Sequence, residues 1–470
     1  MKINYKSVIN QAFHLIVRFL ENADNEDAPV VNYKSPDNLR NILDLQISDE
    51  GIDYDKLFEH IDNYLKYSVN TRNKQFFNQL YSGTNIPGFL GEVFSAVSNT
   101  SMYTYEVAPA ATLTEKELIG KMCGIAGFKN GSGIFVTGGS NANLLAMFSA
   151  RNKFFPEGKI NGMQNSPKFT AFVSDQAHYS FGTAANLLGI GAEALIKVKS
   201  DEYGKMMPEE LEKEIFASEQ RHEIPFFVAA TAGTTLLGAF DSISDIDKIA
   251  KKHNCWMHLD GSFGGSIILS SKYKNLFKGI ETVDSFTWNP HKLMNIPLIT
   301  SVFLLNHKNV LKTNLTKLST DYIFHENEAE NCDLGEISIQ CGRKADALKL
   351  WTSWKYYGDK GYEKRINNLF DTAEYFEQKV IENEQLELMS ERQTLTVCFR
   401  YNPGNIENLN VLNAHIREEL RKSGKSMVNY GYIGTDLTIR FVVANPEVQK
   451  SDIDIFFKNF FYTINEINID

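Results

Sequence analysis

The sequence predicts an α/β protein: a mostly parallel sheet flanked by helices, with an N-terminal helical arm before it and a small α+β domain after it. Three observations predict this. Through the middle of the chain, short apolar runs alternate with helix-period segments, the pattern of a parallel sheet covered on both faces. Residues 1–75 carry helical periodicity only, and residues 351–470 read as a long helix followed by two alternating runs. With 470 residues and a soft expectation of one domain per ~150 residues, the chain divides into an arm (1–75), a large domain (76–350) and a small C-terminal domain (351–470).

In the arm, Val8, Phe13, Ile16, Val17, Phe19 and Leu20 recur at helical spacing, and Leu57, Ile61 and Leu65 repeat it. The acid-rich stretch Asn22 to Pro29 between them suits a surface crossing. An apolar arm face needs a cover, and a second subunit would provide one.

The expected strands of the large domain are Gly133–Thr137, Thr170–Ser174, Phe226–Thr231, Cys255–Leu259 and Ile299–Leu305. A helix is expected over Leu144 to Lys153. Ser242-Ile-Ser-Asp245 resembles a capping box opening another helix, with Ile243, Ile246, Ile249 and Ala250 on one face. Beyond Trp351 a helix is expected from Gly361 to Glu384, then strands at Thr394–Phe399 and Leu437–Val443. In such sheets ligands bind past the carboxyl ends of the strands.

Composition narrows the function classes. Hydrophobic residues make up 43% and charged residues 23%, the balance of a globular protein. A net charge of −10 without a Lys/Arg stripe argues against nucleic acid as a partner. Cys123, Cys255, Cys332, Cys341 and Cys398 are scattered, with no Cys-x-x-Cys pair, so no metal site is expected and the thiols read as reduced. Cys123, Cys255 and Cys398 sit among apolar neighbours and read as core residues. No run approaches the ~20 apolar residues of a membrane span, and the first residues lack the pattern of a signal peptide. A cytoplasmic protein is expected.

The chemistry concentrates at predicted strand ends. Ser285-Phe-Thr-Trp-Asn-Pro-His-Lys292 closes an apolar run with a lysine, and Cys255-Trp-Met-His-Leu-Asp-Gly261 closes another with Asp260. Most lysines are solvated charges, and an Asp before Gly is often a turn residue. Together, a lysine able to form a Schiff base and a carboxylate able to keep a pyridine nitrogen protonated are the minimum for an aldehyde cofactor used as an electron sink. Gly138-Gly-Ser-Asn-Ala-Asn143 is a glycine turn before a helix, where backbone N–H groups and the dipole suit phosphate. His178 follows a strand and can stack on a planar ring. Thr234 and Thr235 can donate to a ring oxygen or cap a turn. Four strand ends suited to one phosphorylated aromatic ring point to pyridoxal 5′-phosphate.

The ordered set Gly-Gly-Ser-Asn-Ala-Asn, Ala-His-Tyr, Thr-Ala-Gly-Thr-Thr, His-Leu-Asp-Gly-Ser and Asn-Pro-His-Lys resembles the group II pyridoxal-phosphate amino acid decarboxylases. The likeness implies a fold-type I homodimer with its active site at the subunit interface. It implies Lys292 as the Schiff-base lysine, Asp260 on the pyridine nitrogen and His178 on the ring face. Gly139, Ser140, Asn141, Asn289 and His291 would surround the phosphate, Thr235 would lie near the ring oxygen, and Ser262 stands where the family usually has alanine on the other ring face. The segments Phe76–Leu80 (with Gln79), Asn99–Glu106, Gln340–Arg343 and Trp351 are similar to the branch acting on acidic amino acids. Arg440 matches that branch's carboxylate-binding arginine, and Ser101 and Tyr103 match the cysteine sulfinate and aspartate enzymes better than the glutamate enzymes. The implied products are β-alanine, hypotaurine or 4-aminobutyrate. One departure stands out: Ile323 to Ile339 contains no tyrosine, although the family usually places a proton-donating tyrosine there. His325, Glu328, Cys332 or Tyr322 are the replacements at hand. The loss also fits an alternative, decarboxylation with oxidative deamination to an aldehyde. A third reading, a catalytically silent scaffold, is disfavoured by retention of Lys292, Asp260, His178 and the phosphate turn.

Overall fold

The structure is a computed structural model, and it describes residues 4–315, 320, 322–325, 332–404 and 407–467. The chain forms two compact units: Met1–Gly83 with Thr372–Met389 and Val397–Asp470, and Thr84–Asp371 with Ser390–Thr396. The strands, in chain order, are β1 (Phe76–Phe77), β2 (Ser132–Val136), β3 (Phe169–Ser174), β4 (Leu195–Val198), β5 (Ile224–Thr231), β6 (Trp256–Gly261), β7 (Ser285–Trp288), β8 (Ser301–Leu305), β9 (Leu386–Leu388), β10 (Thr396–Tyr401), β11 (Met427–Ile433) and β12 (Asp436–Val442).

The larger unit is built on a seven-stranded sheet in the order β2-β8-β7-β6-β5-β3-β4. Only β8 runs against its neighbours; the pairs β3/β4, β3/β5, β5/β6 and β6/β7 are parallel. Because β2 and β7 both oppose β8, β2 points the same way as the rest. The carboxyl ends of β2, β3, β5, β6 and β7 therefore share one edge. β3, β6 and β7 are buried along their whole length, as expected where helices cover both faces. The helix Gly139–Phe154 packs Ala142, Leu145, Ala146, Met147 and Ala150 into this core.

The smaller unit holds a five-stranded sheet, β1-β11-β12-β10-β9, with the helices Tyr5–Ala23, Pro36–Leu43 and Tyr54–Tyr67 of the arm. Tyr5–Ala23 leaves Ile9, Phe13 and Val17 about half exposed.

The five strands expected in the middle of the chain form, with ends shifted by a residue or two. Two more were not anticipated. β4 is a half-buried edge strand whose Leu-Ile-Lys-Val does not alternate cleanly. β7 alternates polar and apolar residues yet is buried throughout, so it reads as a motif rather than a core strand. Three expectations need correction. The helix expected from Leu144 starts at Gly139, so the glycine turn is its first turn. The capping box at Ser242 does not close, because its hydroxyl donates to Asp245 Oδ2 at 2.7 Å instead of accepting a backbone N–H. The long helical stretch begins at Ala347, not Gly361, and is interrupted at Gly358, whose φ of 64° suits glycine.

One buried ion pair ties the second unit together. Arg343 Nη1 donates to Glu115 Oε1 and Oε2 at 3.0 and 3.1 Å and to the Phe135 carbonyl at 3.0 Å. Phe135 N–H donates back to Glu115 at 3.1 Å, clamping helix Pro109–Ala126 onto β2. Glu115→Gln keeps the shape but strands the Arg343 charge, and should lower stability by about 3–5 kcal/mol. A urea midpoint unchanged from wild type would contradict this account.

Candidate active site

Asp260 is the penultimate residue of β6, buried, and its charge is met by donors from the 139–154 helix and from the turn after β6. Asn143 Nδ2 donates to Oδ2 at 2.8 Å, and the Ser262 N–H donates to Oδ1 at 3.0 Å. Burial opposes the charge, but the hydrogen bonds from Ser262 and Asn143 outweigh it and hold the carboxyl below its usual range. The sheet's register brings further polar groups alongside. Trp256, His258 and Asp260 alternate along β6 and so share a face; His258 pairs with Ser285 and Asp260 with Thr287 on β7.

His178, in the turn after β3, is tied to Ser180: its Nδ1 lies 2.9 Å from Ser180 Oγ and accepts the Ser180 N–H at 3.3 Å. Burial pushes its pKa down, Asp260 pulls it up and Lys292 pushes it down again. His178 thus sits within electrostatic reach of both Asp260 and Lys292. Lys292 is half-buried in the turn after β7, where its N–H bonds the Asn289 carbonyl at 3.0 Å. His291 Nδ1 donates to the Thr300 carbonyl at 2.7 Å, and burial pushes its pKa down to about 4.

The phosphate-binding expectation can be tested on shape. Gly138 has φ 138°, a conformation other residues rarely adopt. A Cβ on Gly139 would lie 2.5 Å from Ser262 Oγ and 2.8 Å from Asn289 Nδ2. Gly139, Ser262 and Asn289, from three strand ends, therefore converge. Asn289 Oδ1 is buried with no hydrogen-bond partner among the described residues, and no side chain caps the 139–154 helix. Ser140 is exposed and Asn141 half-buried at that helix start. A helix N-terminus opening at Gly139, with the Asn141 and Ala142 N–H groups already bonded to the Gly138 carbonyl, and a converging amide fit a phosphorylated ligand.

Other expected residues fall elsewhere. Thr234 is buried and its Oγ1 accepts the Ala239 N–H at 3.0 Å, a turn role, while Thr235 is exposed. Ser101 Oγ accepts the Arg343 N–H at 3.3 Å, and the Tyr103 carbonyl accepts the Gly335 N–H at 2.8 Å. These two residues belong to a strap laced to 333–343. Arg440 and Gln79 lie in the other unit. There Arg440 is buried on the interior strand β12, and its Nη2 donates to the Asn78 carbonyl at 2.9 Å, beside Gln79. Of the candidate proton donors, Glu328 lies outside the described residues; Tyr322 is exposed and Cys332 Sγ is 3.5 Å from Lys116 Nζ. Among the described residues no cluster of His, Cys, Asp or Glu could hold a metal, and no helix is long and apolar enough to cross a membrane. The residues missed by sequence reasoning are His258, Ser285, Thr287, Ser180 and the inward role of Asn143. Their one signal was the alternation of polar residues along β6 and β7.

A lysine, a buried carboxylate, a half-buried histidine and a glycine turn opening a helix, all on one sheet edge, suit a pyridoxal-phosphate enzyme. Residues 36–402 match the model of the pyridoxal-dependent decarboxylase conserved domain, and the chain belongs to that family. It is 37% identical over 446 residues to the acidic amino acid decarboxylase GADL1 of Xenopus tropicalis, covering 92% of this chain and 87% of that one. It is 35% identical over 463 residues to the cysteine sulfinic acid decarboxylase of Rattus norvegicus, covering 96% and 94%. The crystal structure of mouse CSAD superposes with a TM-score of 0.94 at 34% identity, covering 97% of this chain and 98% of that one. The chain is a carboxy-lyase, and its cofactor is pyridoxal phosphate.

Burial holds His258 and His291 at about 4, far below the unfolded value of about 6.5. Their neutral burial therefore contributes stability that is complete above pH ~6.5 and lost as pH falls towards ~4. Urea unfolding of the cofactor-free protein should show stability dropping from pH 7 to pH 5, with a shallower drop in His258→Gln. Equal slopes in both would contradict the assignment.

Proposed function

We propose that this chain α-decarboxylates a small acidic L-amino acid, with aspartate or cysteine sulfinate favoured over glutamate, giving β-alanine or hypotaurine and carbon dioxide. The observation that carries the acidic-substrate reading is Arg440, a guanidinium buried on an interior strand where a substrate carboxylate can be gripped by a planar fork. The acidic amino acid and cysteine sulfinic acid decarboxylases among its relatives support the same class. Ser101 and Tyr103 support the shorter substrates, with Gln79 beside Arg440 completing the substrate set.

When bound, pyridoxal phosphate supplies an electron sink for the bond that loses carbon dioxide. Lys292 would hold the cofactor through its amine, and Asp260, kept anionic, would hold a proton on the ring nitrogen. His178 and Ser262 would flank the ring. Gly139, Ser140, Asn141, Asn289 and His291 would hold the phosphate, and Thr235 would serve the ring oxygen. These roles place the cofactor chemistry within residues 76–350. The half-exposed apolar residues Ile9, Phe13 and Val17 of the arm support a homodimer, and a cytoplasmic location accompanies it. The absence of tyrosine from 323–339 supports a second reading, oxidative deamination to an aldehyde.

Cofactor-loaded protein offered equal aspartate, cysteine sulfinate and glutamate should yield mainly β-alanine or hypotaurine by mass spectrometry. Dominant 4-aminobutyrate would overturn the substrate choice, and aldehyde with ammonia and peroxide would establish the second reading. Lys292→Ala should abolish steady-state turnover; normal turnover by that variant would remove the lysine from the mechanism.

A further inference from the structure

Asn143 is buried, as the fifth residue of the 139–154 helix, and every polar position of its amide is engaged. Oδ1 accepts from His258 Nε2 at 3.1 Å and from Thr287 Oγ1 at 3.0 Å. Nδ2 donates to Asp260 Oδ2 at 2.8 Å and to Ser180 Oγ at 3.0 Å. A carboxamide has two donors and two lone pairs, so nothing is left over.

The direction of this network follows from its ends. Trp256 Nε1–H can only donate, and it donates to Ser285 Oγ at 2.8 Å. An ionised Asp260 can only accept. Ser285 Oγ lies 2.8 Å from His258 Nδ1, and with its hydrogen turned onto that nitrogen the proton of a neutral His258 sits on Nε2, 3.1 Å from Asn143 Oδ1 and 3.2 Å from Thr287 Oγ1, which leaves the amide nitrogen facing Asp260. Along the branch, Ser180 Oγ accepts from Asn143 and donates to His178 Nδ1. The proton of neutral His178 is thus on Nε2, and that ring edge offers a donor and no lone pair.

We propose that Asn143 is a positioning residue whose single amide orients Asp260 as a carboxylate and, through Ser180, fixes His178 as the Nε2–H imidazole. One side chain, touching neither the cofactor nor the substrate in this scheme, then sets the group on the ring nitrogen and the group on the ring face together. Polarised chains of this kind strengthen one another in a low-dielectric interior. The inference rests on the pyridoxal-phosphate reading for its purpose, and on the hydrogen bonds alone for its wiring.

The test has two arms. Long-range ¹H–¹⁵N spectra of ¹⁵N-histidine-labelled, cofactor-free protein, assigned with His178→Gln and His258→Gln, should show both histidines as neutral Nε2–H tautomers at pH 7. An Nδ1–H tautomer at His258 would leave Nε2 as an acceptor facing Asn143 and Thr287, so that the Asn143 oxygen no longer receives the His258 proton, and would overturn the proposal. In the second arm, Asn143→Leu should weaken binding of ¹⁵N-labelled pyridoxal phosphate by roughly tenfold or more, the effect of one lost hydrogen bond to a charged group. It should also move the ring-nitrogen resonance towards the unprotonated position. Asn152→Leu removes another buried amide of the same helix and should leave both signals as in wild type; equal effects from the two variants would reduce Asn143 to packing and overturn the proposal. If Asn143→Leu does not fold, the tautomer arm still decides the wiring. Failure of the wild type to bind pyridoxal phosphate would count against the family reading and leave the tautomer result standing.

Discussion

A carboxylate kept charged inside a fully covered sheet is the constraint from which the rest of the site follows. Withdrawing an ion from water costs several kcal/mol unless its lone pairs are met, and Asp260 meets that demand with hydrogen bonds from Ser262 and Asn143. Hydrogen bonds to a charged group contribute about 1.5–3 kcal/mol each, so a few of them suffice. Supplying them has architectural consequences. The 139–154 helix must begin early enough to bring Asn143 under β6. Strands β6 and β7 must carry polar residues on a face that is otherwise core.

That polar face explains an oddity of composition. Ser285, Thr287 and His258 are wholly buried, where apolar residues normally sit. Each has a partner in the network, and the parallel register of β6 and β7 places His258 beside Ser285 and Asp260 beside Thr287. The phosphate cradle is coupled to the same framework. The approach of Gly139 to Ser262 and Asn289 leaves no room for a side chain, so the glycine turn also fixes the entry angle of the helix carrying Asn143.

How much of this was legible in sequence depends on how each residue is used. β3 and β5 were visible because strands buried on both faces read as unbroken apolar runs. β7 was hidden because Ser285 and Thr287 look like surface residues, and β4 because an edge strand shows only half a pattern. The helix start at Gly139 was invisible to periodicity, since Gly-Ser-Asn carries no apolar stripe; the phosphate signal at the same place was clear. Lys292, Asp260 and His178 were read from their positions after apolar runs, and His178 lies within electrostatic reach of the other two. Asn143 was read as part of a turn, because nothing in a linear motif shows that its amide faces inward. Thr234 was ambiguous between ring and turn, and its hydroxyl serves the turn.

The central claim is that Asp260 is ionised by the protein itself, before any cofactor arrives. Infrared difference spectra of ¹³C-aspartate-labelled, cofactor-free protein against Asp260→Asn at pH 5 test it directly. The account predicts a carboxylate stretch for Asp260 and no protonated carbonyl band. A protonated carboxylic acid at that pH would show that the network around Asn143 does not hold the charge, and that the cofactor's own ring nitrogen must supply it.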